Sequence, residues 1–218
     1  ASGSDGTNYT GIEYWMFASI RTFTSGFYIQ NIKIFSGIPV YTKQFTPANS
    51  LPVYLNTALP LNSDFGISDK SSLITGFFNS TSIQNYSDRG TITIQSSRSK
   101  FYGSSARKPL EIPQQNVYKE SWIGSNTGAG TQFGTGDFTI ESWIYTEDFN
   151  FGGQGYVNLC FPRYQNAGAL DFQIGLVPYI RISGSTIQFL NTFNASIILS
   201  TGGVLSANTW HHIAVTRS

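Results

Sequence analysis

The sequence predicts an all-β protein built as an antiparallel sandwich or barrel, and three observations carry that reading. Apolar and polar residues alternate at period two along many short stretches. Turn-forming residues separate them, as at Gly152-Gly153, Gly184-Ser185 and Gly202-Gly203. No long stretch shows the three-and-four spacing of an amphipathic helix.

From the N-terminus, the first strand signal is Phe27-Tyr28-Ile29-Gln30-Asn31-Ile32-Lys33-Ile34-Phe35. Its apolar phase slips at Gln30-Asn31, which predicts a β-bulge that turns the strand across its sheet. The following Thr46-Pro47-Ala48-Asn49-Ser50-Leu51-Pro52 is Pro-rich and polar, the look of a boundary. We therefore expect residues 1–50 and 51–218 to belong to different domains. Beyond it, Ile92 alternates with Ile94, and Phe138 with Ile140 and Ile144. Cys160 reads as a small buried hydrophobe within Val157-Asn158-Leu159-Cys160-Phe161. Leu170, Phe172, Ile174 and Leu176 share one face of a strand, with Asp171, Gln173 and Gly175 on the other. Ile180 with Ile182, Ile187 with Phe189, and Ile213 with Val215 complete the series. Two sheets packed face to face are expected, with Phe138, Ile140, Phe172, Ile174, Ile213 and Val215 between them.

Composition narrows the function classes. The chain of 218 residues is 40% hydrophobic and 15% aromatic, enough to bury a core against its ordering entropy. Charged residues are only 11%, against a usual figure of about 25%, so Ser, Thr, Asn, Gln and Gly must cover the surface. That balance suits a secreted or particle-borne β protein. The net charge is +1 with no Lys or Arg run, which argues against a nucleic-acid partner. A single cysteine excludes an intrachain disulfide and a thiolate zinc site. No apolar run approaches the roughly 20 residues of a membrane-spanning helix, so membrane insertion is not expected. The start, Ala1-Ser2-Gly3-Ser4-Asp5, is not a signal peptide and reads as a chain interior or a processed end.

Candidate chemistry is sparse. Asp137, Thr139 and Glu141 share one face of a strand and superficially resemble the acidic strand of a sandwich-type glucanase. On a regular strand at about 3.3 Å per residue the two acids stand roughly 13 Å apart, beyond the ~9.5 Å limit of an inverting pair. A solvated or loop-bracing role is therefore expected for them. His211 and His212 are adjacent on a strand, face opposite ways and cannot chelate one metal together. No Gly-x-Ser-x-Gly elbow accompanies them. Trp15, Trp122 and Trp143 are the aromatics that could stack on sugars, with Trp143 better read as a sheet-packing residue. The residues thus define no catalytic set, no particular sugar site and no metal site.

Three stretches together resemble the concanavalin A-like, laminin G-like modules that recur in bacteriophage tail, fibre and other virion proteins. Phe133-Gly134-Thr135-Gly136-Asp137-Phe138-Thr139-Ile140-Glu141-Ser142-Trp143-Ile144 is similar to the strand that opens the family's core sheet. Trp210-His211-His212-Ile213-Ala214-Val215-Thr216-Arg217 is similar to a later core strand. Gly26-Phe27-Tyr28-Ile29 through Ile32-Lys33-Ile34 to Gly37, Tyr41, Phe45 and Pro47 resembles the closing strand and exit. A fourth match, Ser99-Lys100-Phe101-Tyr102-Gly103-Ser104-Ser105, looks like an early segment of the family. The closing motif stands before the opening ones. Either residues 1–50 end a preceding module and 51–218 begin the next, or the ends belong to one permuted sandwich; the first reading is preferred, because the family's final hairpin is missing after Ser218.

The resemblance implies an antiparallel jelly-roll β-sandwich and a non-enzymatic structural protein of a virion or the extracellular space. Its partners would be further copies of itself, other virion proteins and host-surface glycans. A bacterial surface adhesin and a glycan-degrading enzyme or its accessory domain are the alternatives. Some such modules bind calcium through loop carboxylates, which would make Asp137, Glu147 and Asp148 the ligands. No dense acidic loop is visible to supply the roughly six to eight oxygens calcium takes, so no cofactor is expected.

Overall fold

The computed structural model describes residues 1–9, 14–20, 26–37, 39, 41–43, 59–60, 93–95, 97–100, 105–108, 121–125, 133–151, 155–163, 178–191 and 197–218. Every regular element among them is a strand: β1 (Tyr14–Ile20), β2 (Phe27–Ser36), β3 (Leu59–Pro60), β4 (Thr93–Gln95), β5 (Ser105–Lys108), β6 (Ser121–Ser125), β7 (Phe138–Thr146), β8 (Tyr156–Arg163), β9 (Tyr179–Ser183), β10 (Thr186–Leu190), β11 (Ile197–Ser200) and β12 (Trp210–Arg217). All pairings are antiparallel. The first sheet runs β11-β10-β9-β8-β1-β6 and the second β12-β7-β2-β5-β4, with β3 beside β2. No helix among the described residues is long and apolar enough to cross a membrane.

Residues 14–36 enter both sheets. β1 lies between β8 and β6, and β2 between β7 and β5. The strand with the closing-motif resemblance is thus hydrogen-bonded to the strand with the opening-motif resemblance, while β12 pairs with β7 at one end of the sheet order.

The expected bulge is present. Gln30 pairs with Trp143 and Lys33 with Glu141, so three steps along β2 match two along β7. The extra residue reconciles an odd spacing on β2, where Ile29 and Ile34 stand opposite Ile144 and Ile140, with an even one on β7. The Gly184-Ser185 turn is also as expected: it joins β9 to β10 with Ser183 opposite Thr186. Gly184 has φ of +54°, a conformation that costs a residue with a Cβ far more.

The core draws side chains from both sheets. Phe27, Ile29, Phe138, Ile140, Ile144 and Ile213 come from the second, and Val157, Leu159, Ile180, Ile182 and Phe189 from the first. Phe138 is wholly buried and stacks on Phe133 at 4.6 Å, with Phe189 of the other sheet 6.3 Å away. Of the six residues expected in the core, Phe138, Ile140 and Ile213 are buried and Val215 packs partly buried against them. Phe172 and Ile174 lie outside the described residues, as does the whole Leu170–Leu176 alternation. So do Ile92 and the side chains of Ile94 and Cys160.

β7 departs from the half-buried strand its alternation predicts. Every one of its residues is buried. It is flanked by β2 and β12, and its polar face is covered too.

Candidate functional site

Pairing register assigns the face of the second sheet that looks away from the core. Thr139, Glu141, Trp143 and Tyr145 of β7 lie opposite Thr216, Ala214, His212 and Trp210 of β12. On the other side, Tyr145 and Trp143 face Tyr28 and Gln30 of β2, and Tyr28 faces Arg107 of β5. Because side chains alternate along a strand, these residues share one surface. It divides into a part around Glu141 and a part around Tyr145.

The first part surrounds Glu141, which is 1% exposed. The Tyr41 hydroxyl donates to Glu141 Oε2, and His212 Nε2 lies 3.2 Å from that oxygen. The imidazole is itself sandwiched, 5.2 Å from the Trp143 ring and edge-on to Tyr41 at 6.1 Å. Lys100 covers Trp143 with its Nζ at 4.8 Å, and its backbone N–H donates to Gln30 Oε1 at 2.8 Å. Glu141 is therefore not a solvated acid; it braces the segment that carries Tyr41. Burying a carboxylate is tolerable here because a hydroxyl and an imidazole meet it.

The second part centres on Tyr145, which is buried like its neighbour Tyr28. Its ring meets Tyr28 edge-on at 5.6 Å and Trp210 at 5.6 Å. Its hydroxyl donates to Asn208 Oδ1 at 3.1 Å. Asn208 holds φ of +58°, donates its own N–H to the Thr146 carbonyl and its side-chain amide to the Glu147 carbonyl. Glu147 in turn accepts from the Gly26 N–H at 2.9 Å and the Tyr28 hydroxyl at 3.2 Å. A Cβ on Gly26 would stand 2.8 Å from that carboxylate, so any larger residue there would have to push the Glu147 side chain aside. Burial raises the Tyr28 pKa above its ordinary value, with Arg107 pulling the other way and Glu147 adding to the rise. Above the rings, the Arg98 guanidinium lies 5.2 Å from Tyr145 and that of Arg107 5.7 Å from Tyr28. Arg98 is exposed, and Trp210 is partly so.

A third cluster ties the two ends of the described chain together. Arg217 donates to the carbonyls of Thr7 at 2.7 Å, Gly134 at 2.8 Å and Gly136 at 2.5 and 2.9 Å, and lies 3.5 Å from Asp5. The guanidinium also sits over the rings of Tyr9 and Phe138. Tyr9 bridges to Gly134 through two backbone bonds of 2.9 Å and donates its hydroxyl to Asp5 at 2.8 Å. Beside this clasp is a cavity of about 420 Å³, floored by Phe138, Phe189, Ile198, Leu199 and Val215.

The remaining sequence candidates do not converge. Glu147 is engaged as above, Asp148 Oδ1 accepts from the Asn150 N–H, and the Asp137 carbonyl accepts from Gly37. Among the described residues no three His, Cys, Asp or Glu side chains gather as a metal site. Asp137, Glu147 and Asp148 therefore do not form the calcium cradle that the resemblance implied. His212 packs on the outer face, whereas the His211 Nε2 accepts from the Ser206 N–H at 3.0 Å. Trp143 is 6% exposed, as a sheet-packing residue should be. The side chains of Trp15 and Trp122 lie outside the described residues. Tyr41 enters the sequence reading only as part of the closing motif, and Arg98 and Arg107 not at all, since nothing local marks a side chain that meets its partners across a sheet. No family model, curated protein or solved structure matches the chain.

Proposed function

We propose that this chain is a concanavalin A-like jelly-roll module of a virion structural protein, a fibre, tail or head-decoration component that works by assembly and by contact with host-surface glycans. Its surroundings would be the particle surface or the extracellular space, and its partners further copies of itself and other virion proteins. The observation that carries the reading is the outer face around Tyr145, where exposed Arg98 lies over the buried Tyr145 ring and partly exposed Trp210 packs at its edge. Aromatic faces stack on the apolar side of sugar rings, and amide and guanidinium groups meet hydroxyls. The two antiparallel sheets and their shared core support the fold part of the proposal. Display and contact fit the residues better than turnover does. Glu141, the acid best placed by sequence for glycosidase work, is 1% exposed and engaged by Tyr41 and His212.

Two measurements test this. Mass spectrometry of density-purified particles should find the protein enriched over the particle-free culture; enrichment in the cell wall instead selects the adhesin. The purified chain should release no reducing sugar from host polysaccharide. Turnover that is lost in Glu141→Gln while the fold persists would establish the glucanase reading.

A further inference from the structure

We propose that the outer face around Tyr145 binds an anionic polysaccharide, a glycan chain carrying carboxylate or sulfate groups, through exposed Arg98 and half-buried Arg107. The inference rests on the glycan-contact reading above and names its ligand class. Both guanidiniums lie over aromatic rings, Arg98 over Tyr145 and Arg107 over Tyr28, and those rings are themselves 5.6 Å apart. Two cations thus flank a single ring pair. The ion pairs among the described residues are His212 with Glu141 and Arg217 with Asp5, so neither Arg98 nor Arg107 is matched by a carboxylate there. Glu147, which bonds the same Tyr28, spends one oxygen on that hydroxyl and the other on the Gly26 N–H. Arg107 Nε is moreover buried with no acceptor in the described structure.

The backbone around Arg98 is held by hydrogen bonds. The Ser105 hydroxyl donates to the Arg98 carbonyl at 2.5 Å, and the neighbouring Lys100 N–H is held by Gln30. A guanidinium resting on a ring above a pinned backbone loses little freedom when it captures an anion, and its planar fork matches carboxylate and sulfate oxygens. Trp210, partly exposed and 5.6 Å from Tyr145, offers the adjoining surface on which a sugar ring can stack. The alternation of acidic group and flat ring along an acidic glycan fits this juxtaposition. Nucleic acid fits less well. A duplex presents a charge about every 1.7 Å along its axis, and a chain of net charge +1 without a basic stripe does not match that density.

The test uses the full chain, tethered in several copies so that weak sites add through effective concentration. Dextran sulfate and neutral dextran share a backbone and differ in charge; alginate supplies carboxylates, and duplex DNA the competing polyanion. Binding is expected to dextran sulfate or alginate, absent for dextran, and lost at about 1 M salt, where the screening length is ~3 Å. Arg98→Gln combined with Arg107→Gln should weaken it on the order of tenfold, about one charge-assisted hydrogen bond. Arg181→Gln, a charge removed from the first sheet, should leave it unchanged. Equal, salt-resistant binding of dextran and dextran sulfate overturns the inference but leaves the glycan-contact reading standing. Binding of no polysaccharide removes both. Tighter binding of DNA than of dextran sulfate, or full sulfate binding by a folded double variant, also overturns it. Should the double variant fail to fold, the salt and charge comparisons on the native chain still decide the matter.

Discussion

Arg217 and Arg98 are the same residue in opposite circumstances. Arg217 directs its donors at three carbonyl oxygens, faces Asp5 and lies over two rings, so its bonding capacity is spent inside the molecule. Arg98 rests over one ring, is exposed, and has no carboxylate partner among the described residues. On the proposed reading the contrast separates stability from recognition. A satisfied cation joins elements distant in sequence, here the N-terminal segment, the 133–137 turn and β12; an exposed one without an ion pair is, on that reading, the group that meets an outside ligand.

The largest expected effect breaks the first side of that contrast. Arg217→Met should lower the unfolding free energy by about 2 kcal/mol, because it removes the cation facing Asp5 and the donor to the Thr7 carbonyl in a largely buried site. Chemical denaturation measures it, and a loss below about 0.5 kcal/mol, the range of ordinary surface substitutions, would show that the clasp holds nothing together.

Titration probes the same cluster and its counterpart. Tyr9 and Tyr28 both have pKa values raised above the ordinary 10.0, Tyr9 mainly by burial and then by its hydrogen bond to Asp5, Tyr28 mainly by burial. The folded chain therefore keeps protons that the unfolded chain releases. Stability should be intact below about pH 10 and fall as pH rises through the folded values. Tyr9→Phe should flatten that alkaline decline more than Tyr28→Phe, as read from thermal midpoints across the alkaline range.

A subtler test is Gly26→Ala. Its Cβ would meet the Glu147 carboxylate at 2.8 Å, but that group is the end of a flexible side chain and can swing aside. The expected cost is about 1 kcal/mol, one lost hydrogen bond, together with reduced glycan binding as Tyr28 loses its anchor. The smallest effect belongs to Arg98→Gln. Unfolding should change by less than about 0.5 kcal/mol, since an exposed cation without an ion pair adds little to the fold, and binding should nevertheless weaken. Loss of stability comparable to that of Arg217→Met would erase the distinction between the two arginines.

The sequence by itself determined the class of structure and much of its register. Alternation placed Phe138, Ile140 and Ile213 in the core, and the phase slip at Gln30-Asn31 marked the bulge, because both follow from the two-residue period of a strand. Only the tertiary structure decided what lies above the polar face of β7. Period two says that Glu141 and Trp143 share a face, not whether that face meets water. Tyr41, Arg98 and Lys100 reach it from 100, 47 and 43 residues away in sequence, to Glu141, Tyr145 and Trp143 respectively. Local pattern reports a residue's neighbours along the strand; the cover over Glu141 and the cations over Tyr28 and Tyr145 arise from long-range packing, which carries no local periodic signature.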